Sequence, residues 1–270
     1  MKFSFKNKTV LITGAASGIG KIMTRKVLEK GANELVLLDY NFEGLQNVSK
    51  EYEHFGKSLQ LYQVDLSNQQ NVLDTIEKIK TDINQIDVVI NNAGIVVGKN
   101  FVDHTVDDIT RTMQINSTTL MLIAQAFLPK MMENNLGAIC NIASMAGLTA
   151  IPRMSIYNAS KWAVVGWTEA LYQEMKQAKK DVVINCVMPF YINTGMFDGV
   201  KSRVVPILDP EKVSTKILTN IEKGKLRTPM PLPYWFIRLS QGLLPNRLYD
   251  FVMGDLMGVY DSMEDFKGRK

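Results

Sequence analysis

Lys8-Thr9-Val10-Leu11-Ile12-Thr13-Gly14-Ala15-Ala16-Ser17-Gly18-Ile19-Gly20 is the stretch whose reading decides the fold. Its first six residues form a short apolar, β-branched run, the composition of a strand covered on both faces of a parallel sheet. Glycines at 14, 18 and 20 follow, and a helical pattern then runs from Lys21 to Lys30. Strand, glycine turn and helix in succession give a glycine motif structural meaning. Gly14 is expected to allow a tight turn, Gly18 to let the backbone approach a pyrophosphate, and Gly20 to let helix and strand pack closely. The helix N-terminus then presents N–H groups and a positive dipole end to phosphates. The spacing is GxxxGxG, not GxGxxG. A plain glycine loop is the bland alternative, and the strand–turn–helix context argues against it.

Outward from this unit, Glu34-Leu35-Val36-Leu37-Leu38-Asp39 reads as a second buried strand that ends in an acid 19 residues after Gly20. A carboxylate there can accept hydrogen bonds from both adenosine ribose hydroxyls and would repel a 2′-phosphate. Tyr40, Asn41 and Phe42 follow, with no adjacent cation. NAD is therefore favoured over NADP, and a helix cap is the structural alternative for Asp39. Strand-like runs recur at 9–13, 34–39, 59–65, 86–91, 137–143 and 182–188, with helical patterns between them. Such alternation predicts an α/β domain, a doubly wound parallel sheet with helices on both faces.

Composition fits one such domain in 270 residues, of which 46% are hydrophobic. Net charge is +4, with basic and acidic residues interspersed, which argues against a nucleic-acid surface. Two histidines and two cysteines are scattered without metal-ligand spacing, so no metal site is expected. Cys140 and Cys186 fall within predicted central strands and read as small buried hydrophobes. The N-terminus reaches a strand without an apolar signal region, and no apolar run approaches the roughly 20 residues of a membrane span. A cytoplasmic location is the expectation.

Tyr157 and Lys161 are four apart, so they share one face of a helix and an ammonium sits beside a phenol. A nearby cation favours the phenolate, which suits a tyrosine to proton exchange with an alcohol or carbonyl oxygen. Alone, that spacing is usually chance. Asp65-Leu66 closes the third strand, where a carboxylate and a backbone N–H can bind adenine. Asn91-Asn92-Ala93-Gly94 closes the fourth, and Ser144 the fifth. Strand carboxyl ends are where open parallel sheets place ligands, so Asn91 and Ser144 are expected to face one crevice. Asn116 falls in a long helical stretch from Val106 to Glu133.

Taken in order, TGxxxGIG at 13–20, Asp39, Asp65, NNAG at 91–94, Asn116, Ser144, YxxxK at 157–161, and Pro189 with Thr194 resemble the short-chain dehydrogenase/reductase family. The resemblance covers roughly residues 5 to 225 and implies a Rossmann fold over 1–225, with 226–270 as a C-terminal arm. It implies a catalytic set of Asn116, Ser144, Tyr157 and Lys161. A cofactor site is implied over Gly14, Ser17, Gly18, Ile19, Gly20, Asp39, Asp65, Leu66, Asn92, Ala93, Gly94, Tyr157, Lys161, Pro189, Ile192 and Thr194. In that scheme Lys161 holds the nicotinamide ribose and, with the cofactor's positive charge, lowers the Tyr157 pKa, and Asn116 holds a water that links Lys161 to solvent. A homodimer or homotetramer through the helices bearing Asn116 and Tyr157 is implied as well. Where many members have Pro-Gly, this chain has Pro189-Phe190-Tyr191-Ile192-Asn193-Thr194-Gly195, which resembles the branch of retinol and 17β-hydroxysteroid dehydrogenases.

Met196, Phe197, Val200, Val204, Val205 and Ile207 are expected to cover the substrate, with Met145, Leu148, Ile151 and Met154 opposite. An apolar cleft of this kind favours a hydrophobic alcohol or ketone. Small polar carbonyls, sugars, an epimerase reaction and a non-catalytic NAD-binding regulator are the alternatives. Between Lys225 and Tyr249 the chain is basic, aromatic and apolar, without Asp or Glu. It is expected to pack on its own domain, on a partner subunit or on an anionic membrane surface.

Overall fold

The computed structural model describes residues 3–203, 205–231 and 234–268, with Tyr234 and Trp235 as backbone alone. Among the described residues one sheet carries seven parallel strands: β1 (Thr9–Thr13), β2 (Glu34–Asp39), β3 (Ser58–Gln63), β4 (Val88–Asn91), β5 (Gly137–Ile142), β6 (Val182–Pro189) and β7 (Arg227–Met230). Their order is β3-β2-β1-β4-β5-β6-β7. The chain winds outward from β1 in one direction and from β4 in the other, so a crevice opens where the order reverses.

Each strand feeds both faces because consecutive side chains point opposite ways. Val10 and Ile12 of β1, Leu35 and Leu37 of β2, and Val88 and Ile90 of β4 enter one core. There they meet Met23 and Val27 of α1 (Gly18–Glu29), Leu45 and Val48 of α2 (Phe42–Tyr52), and Ile217 and Ile221 from 210–222. Leu11, Val36 and Val89 enter the other core. Their partners are Ile76 and Ile79 of α3 (Gln69–Asp82) and, from later helices, Ile123, Phe127 and Leu171. This two-sided burial is why the strands read as continuous apolar runs.

Three further helices bear on the site. The stretch expected as one helix from 106 to 133 is instead α4 (Val106–Met113), a single π turn (Gln114–Thr118) and α5 (Thr119–Glu133). Asn116 sits within that turn. A longer α6 (Ser155–Gln177) carries Tyr157 and Lys161. After α7 (Pro210–Glu222), the strand β7 was not anticipated, so the sheet continues past residue 225. Two short helices, α8 (Tyr234–Leu243) and α9 (Asn246–Asp250), follow. Ile237, Met253, Val259 and Met263 join Tyr157, Met154 and Tyr191 in a third apolar cluster, which lies over the carboxyl ends of β5 and β6. These four residues of the segment after β7 are buried in that cluster. Among the described residues, no helix is long and apolar enough to cross a membrane.

Candidate active site

The site is built from loops that leave the carboxyl ends of β1, β2, β4, β5 and β6. At β1, the turn needs two left-handed glycines, Gly14 at φ +66° and Gly18 at φ +56°. A Cβ on Gly20 would stand 2.0 Å from the Gly14 carbonyl oxygen, so α1 can touch the turn only with glycine there. A Cβ on Gly14 would stand 3.0 Å from the Asn92 amide nitrogen and the Ala93 Cα. That cradle is locked from β4: Asn92 Nδ2 donates to the carbonyls of Thr13 (2.9 Å) and Gly14 (3.2 Å). The Asn92 and Ala93 N–H groups donate to Thr13 Oγ1. No acid occupies the first turn of α1, which leaves its dipole end suited to an anion.

At β2, Asp39 accepts from the N–H groups of Ala16 (3.0 Å) and Asn41 (2.9 Å). It braces the glycine turn while its carboxylate still lines the cleft. The capping alternative belongs to Asn41, which accepts from Gly44 N–H. Asp65 accepts from the Ser67 hydroxyl (2.6 Å) and N–H (2.9 Å). These bonds, with Arg111 nearby, hold its carboxyl below the usual range.

Asn116 is wholly buried, and its amide is fully engaged. Its Oδ1 accepts from Ile95 N–H (2.8 Å), and its Nδ2 donates to the Ile95 carbonyl (2.9 Å) and Ser160 Oγ (3.1 Å). The side chain thus clamps the segment after Gly94. Asn91 departs from expectation. It is wholly buried, and its Nδ2 donates to Leu120 O and Asn141 Oδ1, so it ties the sheet together beneath the crevice and does not line it.

Ser144, Tyr157 and Lys161 come together on one wall, 9%, 5% and 3% exposed. Ser144 Oγ accepts from Ala146 N–H (3.1 Å). Lys161 Nζ donates to the Ile142 carbonyl (2.8 Å) and lies 5.6 Å from the Tyr157 ring centroid. Burial pushes the lysine down to about 8. Burial also pushes the Tyr157 phenol above its ordinary value, and the Ser144 hydroxyl pulls the other way. Desolvation of the anion dominates in so dry a position, and the amine bonds a carbonyl instead of the phenol oxygen.

The cleft of about 270 Å³ is lined by Gly14, Ser17, Gly18, Ile19, Asp39, Asp65, Leu66, Asn92, Ala93, Gly94, Ser144, Tyr157, Lys161, Pro189, Ile192 and Thr194. Gly20 and Asn116 act from behind it. Sequence reading missed Tyr40, Arg111, Ile115 and Phe190, which also line it. Arg111 and Ile115 are four apart, and Ile115 precedes Asn116, so the helical spacing was a usable signal. Ser144, Phe190 and Phe197 are shared with an inner pocket of about 40 Å³, walled by Met145, Ile151, Met154, Val205, Ile237, Met253 and Met257. Phe197 meets Tyr157 edge-on at 6.0 Å and Tyr191 at 5.0 Å. Ile207 is 47% exposed and faces away, Leu148 is buried outside the wall, and Val204 lies outside the described residues.

With this geometry in place, comparison with known proteins is decisive. Residues 8–204 match the family model for short chain dehydrogenases. The chain belongs to the short-chain dehydrogenase/reductase family. Epidermal retinol dehydrogenase 2 of Mus musculus is 34% identical over 266 residues, with 97% of this chain and 85% of the relative covered. Estradiol 17-beta-dehydrogenase 11 of Macaca fascicularis is 29% identical over 265 residues, covering 98% and 88%. These relatives put the chain in the retinol and hydroxysteroid dehydrogenase branch. Among solved structures, a short-chain dehydrogenase/reductase from Burkholderia phymatum in complex with NAD superposes with a TM-score of 0.80. It is 25% identical, with 89% of this chain and 95% of that one covered. A short-chain dehydrogenase from Sphingobium yanoikuyae in complex with NADPH gives 0.78 at 27% identity, covering 88% and 96%. The chain is thus an oxidoreductase that uses a nicotinamide cofactor.

Proposed function

We infer that this enzyme transfers hydride between NAD(H) and a hydrophobic alcohol or ketone, with Ser144, Tyr157 and Lys161 as its catalytic residues. The observation that carries this reading is that one buried wall holds all three side chains and shares Ser144 with an apolar inner pocket. NAD⁺, held by the residues that line the cleft, would supply the hydride acceptor and a positive charge. Tyr157 takes the hydroxyl proton on oxidation and returns it on reduction. Ser144 hydrogen-bonds the same substrate oxygen and steadies the charge that develops there. Lys161, with an amine at about 8, is largely protonated at neutral pH and supplies a second cation on the tyrosine's wall. Asn116 keeps Gly94 and Ile95 in place so that the cofactor side of the cleft holds its shape. Support for NAD over NADP comes from the Asp39 carboxylate, fixed by two N–H groups at the end of β2.

The test is a panel of retinoids, steroids, long-chain alcohols, 3-oxoacyl esters and small sugars, assayed with NAD(H) and NADP(H) by nicotinamide absorbance. Turnover of lipid-like substrates with NAD is expected. Activity on sugars alone would overturn the substrate class, and a strong NADP preference the role given to Asp39.

The outer face of the arm favours a peripheral contact with a membrane surface. Phe236, Leu239 and Leu243 on α8, with Leu248, Phe251 and Leu256 beyond it, are 46–71% exposed. Arg238 and Arg247 lie among them. Cosedimentation with anionic vesicles at low and high salt tests this. Self-association through the helical stretch that bears Asn116 and through α6 is the companion expectation. It is supported by Trp162, 51% exposed on α6, and is testable by sedimentation velocity.

A further inference from the structure

The stretch from Asp261 to Lys267 touches three segments that frame the cleft. In the loop after β4, a Cβ on Gly98 would strike the Phe266 ring and crowd Met263, so glycine there leaves the seat that the ring fills. Ahead of α6, Arg153 Nη1 donates to the Glu264 carbonyl at 3.0 Å. After β6 the contact is backbone on backbone. Lys267 N–H donates to the Asp198 carbonyl at 2.8 Å, and Lys201 N–H donates to the Ser262 carbonyl at 3.3 Å. Between these two in sequence, Gly199 takes φ +87°, and a Cβ on it would collide with the Asp265 carbonyl. Ion pairs of Lys201 with Asp265 and Arg203 with Asp261 repeat the pairing, but they are exposed and add little.

This attachment leads to the reacting tyrosine. The Ser262 and Tyr191 hydroxyl oxygens lie 2.9 Å apart, and both side chains are buried. Tyr191 packs on Phe197, and Phe197 packs edge-on against Tyr157. Phe197 is also a wall of both the cleft and the inner pocket. Met263 and Phe266 join the apolar cluster that contains Tyr157 and Tyr191. None of residues 261–267 lines either cavity, so their influence on a substrate runs through Tyr191 and Phe197.

We propose that Asp261 to Lys267 form a strap that holds Phe197 against Tyr157, with Phe266 as its positioning residue, and that the strap sets how readily the cleft accepts a hydrophobic substrate. The inference rests on the hydrophobic alcohol or ketone reading of the same cleft. With the strap seated, Phe197 stands ready as one wall of the substrate site. With it released, the substrate must spend binding energy to rebuild that wall. A site that is formed only part of the time binds with an affinity reduced by that fraction, whereas at saturation the bound substrate keeps it formed and turnover is restored. Phe266 therefore acts on KM and not on kcat.

Two measurements on one set of variants test the strap. Hydrogen exchange followed by mass spectrometry reads the attachment itself: Phe266→Ala should speed exchange of the amides in 196–203 by roughly three- to tenfold and leave those of β1 and α1 unchanged. Steady-state kinetics on the best lipid-like ketone of the panel reads the consequence: KM should rise by roughly three- to tenfold, with kcat within about twofold of wild type. Phe266→Leu keeps an apolar side chain over Gly98 and should restore most of the wild-type KM. Gly98→Ala evicts the ring from the other side and should reproduce Phe266→Ala; combined with it, Gly98→Ala should add nothing. Unchanged exchange at 196–203 in Phe266→Ala, a KM that does not move, or a fall in kcat without a rise in KM would overturn the strap and leave the substrate reading standing. A wild type that turns over only small polar carbonyls, with the exchange difference intact, would overturn the substrate class instead.

Discussion

Replacing Lys161 by methionine should make the protein more stable while it abolishes turnover. The amine is 3% exposed, and burial carries its pKa from 10.5 down to about 8. That difference converts, at about 1.36 kcal/mol per pH unit, to about 3 kcal/mol of penalty on the charged form at neutral pH. Methionine has similar length and no charge, so the penalty disappears. The substitution also loses the 2.8 Å bond to the Ile142 carbonyl, worth about 1 kcal/mol. A net gain of about 2 kcal/mol remains, roughly 5 °C in Tm for a domain of this size. The sign with pH follows from linkage. Between about 8 and 10.5 the folded lysine is neutral while the unfolded one still holds its proton, so the unfolded state binds more protons and stability rises with pH. Wild-type protein should gain about 1 kcal/mol from this residue between pH 7 and pH 9, and Lys161→Met should lack that gain. Urea unfolding of both proteins at the two pH values measures all four quantities. A variant no more stable than wild type at pH 7, or identical pH dependence in the two, would refute the claim that this amine is held at a cost for chemistry.

Three other outcomes are expected. Asp39→Ala should lower the NAD to NADP ratio of kcat/KM by about tenfold or more, because a carboxylate facing a 2′-phosphate costs several kcal/mol; steady-state kinetics with both cofactors reads it. Gly20→Ala puts a Cβ 2.0 Å from the Gly14 carbonyl, a backbone atom that the turn cannot surrender, so thermal melts should show a loss of about 3 kcal/mol or more and NADH binding should fail. Asn116→Ala removes the clamp on Ile95 and leaves half-buried backbone groups unpaired; NADH titration should show weaker binding, with a stability loss of about 1–3 kcal/mol.

The first unit of the fold was legible because each local signal agreed with the others. Val10-Leu11-Ile12 is apolar on both faces, Gly14 and Gly18 sit where φ is positive, and α1 follows at once. Strands β2 and β4 to β6 were readable for the same reason: two cores draw on alternate residues of each. Strand β7 was hidden because Arg227-Thr228-Pro229-Met230 is short, carries a cation, and contains a proline that an edge position tolerates. The π turn at 114–118 has no composition of its own, so Asn116 was assigned to the right place in the chain but the wrong local geometry. Asn91 was misread because strand alternation turns it under the sheet while Asn92, one residue later, meets the cleft. Motif spacing brought Ser144, Tyr157 and Lys161 together, but spacing carries no measure of burial. The near-complete burial of Tyr157 and Lys161 was accordingly beyond its reach.

The most direct measurement is on Tyr157→Phe, which keeps the ring and its contact with Phe197 and removes only the exchangeable proton. Turnover should fall by about 10²–10⁴-fold on the best substrate of the panel, with the dissociation constant for NADH unchanged. Turnover at the wild-type rate, with that binding intact, would contradict the assignment of the proton to this phenol.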